Sequence, residues 1–375
     1  MQIAANNSKA KKYNNIKLTF GIGKGIISFL LILLFIVLGY STELVDFISD
    51  FVENSYIVLF LYVSVIGIFS SIIFFPVNYY VDFYLEHKYQ LSNQSFAAWI
   101  WENLKAALVG SVIGIPILIL FYFILIQFGN LWWLPFAILM FVISVVLAQI
   151  VPILIMPLFY KITPYEDESL KNRIRELALD AGLKIENVFQ FNMSKNTKKA
   201  NAAFTGLGKT KRVLLGDTLL ENYSHDEVET VLAHEFGHYK HKHIIKNIAI
   251  GTVSSFLTFF LLSVLYEASL DIFSFTEITQ IDALPLLALW GMILGIIQTP
   301  VTNYISRRFE YQADDYAVKT TLKPDAFKNT LEKLTDQNLG DRNPHPIVEW
   351  FFYSHPSIER RKQNIENLRK SLKLV

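Results

Sequence analysis

Two long stretches without any charged side chain constrain the fold of this 375-residue chain more than any other feature. No Asp, Glu, Lys or Arg occurs in residues 106–160 or in residues 283–306. Charged residues make up only 18% of the whole chain, and hydrophobic residues make up 52%. A hydrocarbon core of about 30 Å requires about 20 consecutive apolar residues, which both stretches supply. The sequence therefore predicts an α-helical, polytopic integral membrane protein.

Six apolar segments have the length of a membrane-spanning helix. They cover residues 18–40, 55–75, 106–127, 131–153, 248–266 and 283–306. The first segment is too long for the apolar part of a signal peptide and lacks a small-residue cleavage site after it. A retained helix is therefore favoured there over a cleaved leader.

The charges beside these segments predict their orientation. Lysines at positions 9, 11, 12, 17 and 24 accompany the first segment, with no acidic residue among them. The next loop carries only acidic side chains, as does the loop at residues 267–282. Positive charge marks cytoplasmic loops. We therefore expect both termini and the active site on the cytoplasmic side of a bacterial inner membrane or the endoplasmic reticulum.

This topology divides the chain into four parts. Residues 1–159 hold four membrane helices, residues 246–306 hold two, and the hydrophilic parts are residues 160–245 and 307–375. Because both hydrophilic parts lie on one side of the membrane, they could form a single α+β domain that the sequence splits. The pattern of the first hydrophilic part predicts an amphipathic helix at residues 170–181. It also predicts three short strands, at residues 188–191, 202–205 and 213–215.

A further helix is predicted to begin at a capping box formed by Ser224 and Glu227. This helix contains two histidines with the spacing of metal ligands. The sequence there reads His234-Glu235-Phe236-Gly237-His238, an H-E-x-x-H pattern. Residues four apart share a helical face, so both imidazoles can bind one ion while Glu235, one position along, points at the open position of that ion. Nitrogen ligands with a carboxylate suit Zn²⁺ and leave a position for water. We therefore predict one zinc ion per chain.

Glu310 and Asp314, one helical turn apart just after the sixth segment, are candidates for the third ligand and for a residue that orients a ligand imidazole. Pairing of Glu310 with Arg307 or Arg308 is the structural alternative.

His241 and His243 also follow the zinc motif closely. The lysines beside them favour solvated side chains over metal ligands.

Composition excludes several other classes of protein. A net charge of +1 provides no basic field for a nucleic-acid backbone, so no nucleic-acid partner is expected. The chain contains no cysteine, which excludes disulfides, iron–sulfur clusters and a thiol nucleophile.

The order and spacing of these motifs resemble the type I CaaX prenyl endopeptidases, the a-factor-converting-enzyme family of integral-membrane zinc proteases. Beyond the zinc motif, the resemblance covers Glu86-His87-Lys88-Tyr89 with Asn93-Gln94, Pro157-Leu158-Phe159 with Thr163-Pro164, Asn201-Ala202-Ala203-Phe204, Asp217-Thr218-Leu219-Leu220, Ser306-Arg307-Arg308-Phe309-Glu310 with Ala313-Asp314, and Tyr353-Ser354-His355-Pro356. Nearly the whole chain from about Gly25 onward takes part.

The resemblance implies zinc bound by His234, His238 and Glu310, with Glu235 as the base. It also implies that an extended edge binds the substrate as an added strand. The four residues of this edge are Asn201, Ala202, Ala203 and Phe204. A core strand is the alternative for this short apolar run.

The resemblance further implies that His355 and Arg361 assist at the reacting carbonyl. Arg360 could replace Arg361 if the helix that carries them is rotated. The sequence departs from the family in its number of spans. It predicts six membrane helices where seven are common, and the one without a counterpart is the family's first. It also has Ala203 where an aromatic residue is usual, and it lacks a long acidic insert before the zinc helix.

The predicted function is an integral-membrane zinc endopeptidase. It would act on prenylated CaaX-type C-terminal tails or related membrane-associated peptides. A heat-shock-type quality-control zinc protease is the enzyme alternative, and a six-span transporter or scaffold is the non-enzyme one. Transporters place ionisable residues near the middle of the membrane, whereas these segments are almost free of them.

The orientation can be tested with reporters. A reporter fused after Val375 should be active only in the cytoplasm, and one inserted near Asp50 or Glu277 should be active only outside. Activity on the opposite sides would contradict the shared location of the two hydrophilic parts.

Overall fold

The structure is a computed structural model that describes residues 2–185, 187–205 and 212–374, with only the backbone described for residues 2–6. Its α-helices are, in chain order, α1 (Gln2–Val37), α2 (Tyr40–Ser49), α3 (Ser55–Asn78), α4 (Leu85–Lys88), α5 (Phe96–Phe128), α6 (Trp133–Ile150), α7 (Met156–Phe159), α8 (Glu168–Asp180), α9 (Asp217–Asn222), α10 (His225–Lys240), α11 (His243–Leu270), α12 (Pro285–Thr321), α13 (Pro324–Gln337), α14 (Pro346–Phe352) and α15 (Ile358–Ser371). The strands are β1 (Ile162–Pro164), β2 (Val188–Phe191), β3 (Ala202–Thr205) and β4 (Arg212–Gly216).

Within the described residues, six helical segments are long and apolar enough to cross a membrane, which confirms the predicted number. They are Asn7–Val37, Ser55–Lys88, Phe96–Leu131, Trp133–Phe159, His243–Phe273 and Ile281–Thr321. Each of the six extends beyond the predicted apolar segment at one end or both, although the first ends three residues earlier and the fourth begins two residues later than predicted. The clearest case is α12, whose 37 residues span about 56 Å at 1.5 Å per residue, nearly twice a hydrocarbon core of about 30 Å.

A small mixed sheet lies in the first hydrophilic part. Its strand order is β1-β2-β4-β3, in which β2 and β4 are parallel and the other two pairs are antiparallel. The sequence predicted β2 and β3 with their observed bounds and β4 to within a residue at each end, but it did not predict β1. In this order β3 is an edge strand.

Side-chain caps begin two helices of the same part, α10 with the predicted capping box and α8 with a cap that the sequence analysis did not predict. The side chain of Ser224 accepts from the backbone of Glu227, and the Glu227 carboxylate accepts from the backbone of Ser224, so the capping box is complete at the start of α10. Asp167 caps α8 in a similar way by accepting from Ser169 and Leu170. These caps satisfy backbone N–H groups that a helix start leaves unpaired.

One hydrophobic core combines residues from both hydrophilic parts. Leu170 and Ile174 of α8 and Leu232 and Phe236 of α10 share it with members of α12, α13 and α15. The residues that the later helices contribute are Ala317, Val318, Phe327, Leu331, Ile358 and Ile365. The two parts therefore pack as one body although two membrane helices separate them in sequence.

A charged cluster around Glu86 attaches this body to the membrane helices. The Glu86 carboxylate lies 2.9 Å from Nζ of Lys17 in α1 and 2.9 Å from Nζ of Lys199, and it accepts a hydrogen bond from the hydroxyl of Tyr13. The adjacent Asn14 donates to the backbone oxygen of Leu339, at 2.6 Å. The cluster thus joins α1 and α4 to the segments before β3 and after α13.

Close packing of α10 against α12 depends on Gly237. A Cβ atom at this position would lie 2.9 Å from Cα and 3.0 Å from O of Ala313, and 3.1 Å from Cβ of Tyr316. These are mostly backbone atoms, which cannot rotate away. Only glycine therefore allows the two helices to approach this closely.

Substitution Gly237→Ala should force α10 away from α12 and destabilise the protein by about 1–3 kcal/mol, the usual cost of overpacking. Thermal unfolding of the detergent-solubilised protein would measure the change. Gly251→Ala in α11 is the matched control, because a Cβ there meets nothing within 4 Å. Equal melting temperatures for the two variants would show that the contact at Gly237 is not constraining.

Candidate active site

Two helices bring three potential metal ligands together. His234 and His238 lie on one face of α10, and Glu310 of α12 lies opposite them. The Nε2 atoms of the two histidines are 3.1 Å apart. The Glu310 carboxylate reaches both, with Oε2 at 3.4 Å from Nε2 of His234 and Oε1 at 3.3 Å from Nε2 of His238. All three residues offer ligand atoms within 4.8 Å of one another.

These separations fit a tetrahedral metal ion. Ligands at about 2.0–2.1 Å from such an ion lie about 3.3 Å from each other. Oε2 of Glu310 is buried and, although Nδ1 of His355 lies 2.8 Å away, it accepts no hydrogen bond of normal geometry from the described residues. A buried oxygen without such a donor suits a bound cation. The donor set therefore fits a divalent metal ion.

Asp314, the candidate for orienting a ligand imidazole, lies behind His234. Nδ1 of His234 is 2.8 Å from Oδ1 of Asp314, so the ring donates there and keeps Nε2 free as a ligand atom. Arg361 binds both oxygens of the same carboxylate, with Nε 2.8 Å from Oδ2 and Nη2 2.5 Å from Oδ1. Asp314 is fully buried, so the guanidinium provides the countercharge that burial requires.

This environment changes the affinity of His234 for protons. Burial alone would lower its pKa, but the hydrogen bond to Asp314 and the negative charge of Glu310 outweigh burial and raise the pKa to about 9. A proton therefore competes with a metal ion for this nitrogen, and metal binding is expected to release it.

His243 lies behind the second ligand, His238. Its Nδ1 atom is 3.0 Å from Nδ1 of His238, and its side chain is buried. The prediction that His243 is solvated was therefore wrong. Lys242 adopts a left-handed conformation with φ of 57°. This turn separates α10 from α11 and lets His243, the first residue of α11, contact His238. His241 is partly exposed, and its ring contacts His243 at a centroid distance of 5.6 Å.

The arginines before Glu310 do not pair with it. Nη1 of Arg307 donates to the backbone oxygens of Glu349 and Tyr353, at 3.0 and 2.5 Å, while Arg308 donates to the hydroxyl of Tyr304. The structural alternative for Glu310 was therefore wrong.

The structure separates the two candidate arginines of α15. Arg361 reaches the site through Asp314, whereas Arg360 is exposed and lies 3.4 Å from the Glu349 carboxylate. His355 is 63% exposed, and its Nδ1 contacts Oε2 of Glu310. Glu235 is half-buried, on α10 next to His234.

The edge strand β3 lies beside α10. The ring of Phe204 packs against Phe236 and Tyr239, at centroid distances of 5.6 and 5.9 Å. Asn201 is exposed, and its backbone oxygen accepts from the Gly216 N–H at 3.0 Å. Ala202 and Ala203 follow it, half-buried, in the strand.

Sequence reasoning missed His243 and its neighbour Gln312. His243 is five residues from His238 and lies on a different helix, so helical periodicity gives no signal for their contact. Gln312 lies between Glu310 and Asp314, and an uncharged amide there gives no sequence signal for a contact with a histidine.

Comparison with known proteins agrees with this geometry. The model of peptidase family M48 matches residues 164–369, and a model described as "CAAX prenyl protease N-terminal, five membrane helices" matches residues 4–161. Residues 4–161 of this chain contain four candidate spans rather than five.

Individual relatives cover most of the chain. CAAX prenyl protease 1 of Saccharomyces cerevisiae is 33% identical over 323 residues, covering 80% of this chain and 70% of the relative. An uncharacterised metalloprotease of Bacillus subtilis, YhfN, is 29% identical over 362 residues, covering 95% and 84%. A crystal structure of S. mikatae Ste24p superposes with a TM-score of 0.87 at 29% identity, covering 96% of this chain and 89% of that one.

These similarities favour a membrane peptidase of the CAAX prenyl protease type over both alternatives, the heat-shock-type quality-control protease and the transporter. The family also implies a metal ion and a peptide or protein substrate. The chain belongs to peptidase family M48, as a multi-pass integral membrane metalloprotease of the CAAX prenyl protease type.

Proposed function

We propose that this protein is a zinc endopeptidase that removes residues from isoprenylated CaaX-type tails at the cytoplasmic face of the membrane. The observation that carries the proposal is the group of His234, His238 and Glu310, whose mutual separations of 3.1, 3.3 and 3.4 Å suit tetrahedral zinc. The prenylated substrate class is supported by relatives that carry the name CAAX prenyl protease 1 in yeast and human.

The chemistry follows from the residues around this group. Bound zinc would supply a Lewis acid that polarises the scissile carbonyl and makes a water molecule more acidic. Glu235 takes the proton from the attacking water and passes it to the leaving amine. His355, exposed beside Glu310, donates a hydrogen bond to the carbonyl oxygen as negative charge develops there.

Arg361 has a different place in the proposal. Its guanidinium is occupied by both oxygens of Asp314, and its Nη1 atom is 3.8 Å from Oε2 of Glu310. These contacts favour a residue that holds Asp314, and through it His234, over a direct donor to the substrate. Residues 160–245 and 307–375 then act as one catalytic domain.

Substrate binding along β3 completes the proposal. An edge strand presents backbone groups that an extended peptide can pair with, and the packing of Phe204 on α10 places this edge beside the zinc helix. The bond from the Gly216 N–H to the Asn201 oxygen and the register of β3 with β4 place the Ala203 N–H on the β4 side and the Ala202 N–H on the open side. Ala202→Pro removes this open backbone donor and should raise KM in the cleavage assay described below. An unchanged KM in a folded variant would place the peptide elsewhere.

Metal analysis tests the ligand set. The purified protein should contain about one zinc per chain, by analogy with other sites of two His and one Glu. His234→Ala and Glu310→Ala should lose it because each removes a ligand. Full retention of zinc by the Glu310 variant would exclude this residue as a ligand.

Peptide cleavage tests the substrate class. The detergent-purified protein is incubated with two versions of one C-terminal tail peptide, with and without an isoprenyl group on the cysteine. We expect a clearly higher kcat/KM for the prenylated version. Equal rates would point to a general membrane-associated peptidase, and absence of cleavage of either peptide would contradict the CaaX assignment.

Glu235→Gln is the matched control for that assay. The amide is nearly isosteric with the carboxylate but cannot accept the proton, so zinc should remain bound and cleavage should be lost. Cleavage near the rate of the unaltered protein would exclude Glu235 as the base.

The role of His355 predicts a further result. His355→Ala should lower kcat by about a hundredfold, the scale for loss of one oxyanion donor, while zinc content and melting temperature stay unchanged. Arg360→Ala should have little effect, since among the described residues this exposed side chain forms an ion pair with Glu349 and none with the ligand group. Loss of zinc from the His355 variant would indicate a structural role instead.

A further inference from the structure

His243 makes two contacts that link its tautomer to that of His238. Its Nε2 atom is 2.8 Å from Oε1 of Gln312, and its Nδ1 atom is 3.0 Å from Nδ1 of His238. The side chain is 1% exposed, and its ring stacks on Phe309 with a centroid distance of 4.1 Å and an interplanar angle of 9°. Water therefore has almost no access to the His243 ring, although the Gln312 side chain at the end of this chain of contacts is exposed.

The chemistry of the amide decides which nitrogen donates. The Gln312 oxygen can only accept, so Nε2 of His243 carries a hydrogen. A neutral imidazole then has a lone pair at Nδ1, and the hydrogen between the two rings belongs to His238. Nε2 of His238 is consequently left with its lone pair, on the side of Glu310.

The opposite orientation of the Gln312 amide would reverse this order. Its NH₂ group would donate to Nε2 of His243, the hydrogen between the rings would move to His243, and Nε2 of His238 would carry a hydrogen. His238 could then not bind a metal ion through that atom. Only the orientation with the oxygen towards His243 is compatible with a ligand role for His238.

The arrangement parallels the one behind the other histidine ligand. Asp314 accepts from Nδ1 of His234 directly, whereas His238 has a neutral partner that Gln312 holds. Asp314, which contacts His234, and Gln312, which contacts His243, both lie on α12, two positions apart. The same helix that supplies Glu310 would therefore also select the tautomer of both histidines.

We propose that His243 and Gln312 form a positioning pair that holds His238 in its metal-binding tautomer and orientation. This inference rests on the proposed zinc site and deepens it. His243 is a positioning residue because it acts through His238. A backing residue of this kind typically contributes 10- to 100-fold to metal affinity.

Zinc retention against a competing chelator provides the test, using the full chain in detergent. His243→Phe keeps an aromatic ring for the stack on Phe309 but removes the acceptor, and it should retain zinc about 10- to 100-fold more weakly. His243→Asn places an amide oxygen near the position of Nδ1 and should restore most of the affinity. In peptide cleavage at saturating zinc, kcat should fall in the Phe variant while KM changes little.

His241→Phe is the matched control, because phenylalanine keeps the ring contact that His241 makes with His243, and His241 forms no hydrogen bond with His238 or Glu310 among the described side chains. Its zinc retention should equal that of the unaltered protein. Wild-type retention in His243→Phe would overturn the proposal, and equal losses in the Phe and Asn variants would show that packing alone matters and would overturn it too.

A second pair of variants covers the case in which His243→Phe fails to fold. Gln312→Met removes the acceptor with little change in length and should weaken zinc binding, whereas Gln312→Glu keeps an acceptor and should not. Equal retention by both variants would overturn the proposal.

Failure of the zinc site itself gives a different result. If the unaltered protein held no zinc, or if His238→Ala retained it fully, the ligand set and the positioning pair would both be overturned. If the unaltered protein binds zinc through His238 but His243→Phe binds it equally well, only the positioning pair is overturned.

Discussion

A single helix has to satisfy two environments in this protein, and the candidate site depends on it. The first part of α12 is apolar and uncharged up to Ser306, as a helix in hydrocarbon must be. The same helix continues without interruption to Thr321, where Ala317 and Val318 enter the core of the hydrophilic body. Glu310 and Asp314 lie at the junction. Their position is therefore fixed both by the membrane and by the packing of that core.

The second constraint is how closely α10 approaches this helix. A carboxylate oxygen and two imidazole nitrogens come within bonding distance of one ion only when the two backbones are in near contact, and Gly237 permits that contact against Ala313. The zinc motif thus carries a packing residue between its two histidines as well as its chemical groups. Two of the proposed metal ligands and a residue required for helix packing therefore lie within the same five residues, 234–238.

Buried hydrogen bonds then determine what the ligands can do. Asp314 and Arg361 form a buried charge pair behind His234, while a neutral amide and imidazole lie behind His238. An arrangement with two backing carboxylates would bury a further negative charge beside Glu310, which costs free energy unless another cation is present. A neutral partner for the second histidine avoids that cost.

The sequence by itself determined the membrane helices, the zinc helix and much of the sheet. Uncharged runs of about 20 residues have few alternatives to a membrane span, a capping box identifies a helix start from local hydrogen bonds, and the i, i+4 spacing places His234 and His238 on one face. All of these signals are local. The family resemblance added Glu310 and His355, which spacing alone left open.

Only the tertiary structure decided the contacts between elements distant in sequence. It showed that Arg361 rather than Arg360 reaches Asp314, because the rotation of α15 follows from its packing in the shared core. It also placed His243 behind His238 through the turn at Lys242, which no periodicity predicts. Local patterns encode which groups a helix presents, but the partner of each group depends on how the helices pack, and that is a property of the whole fold.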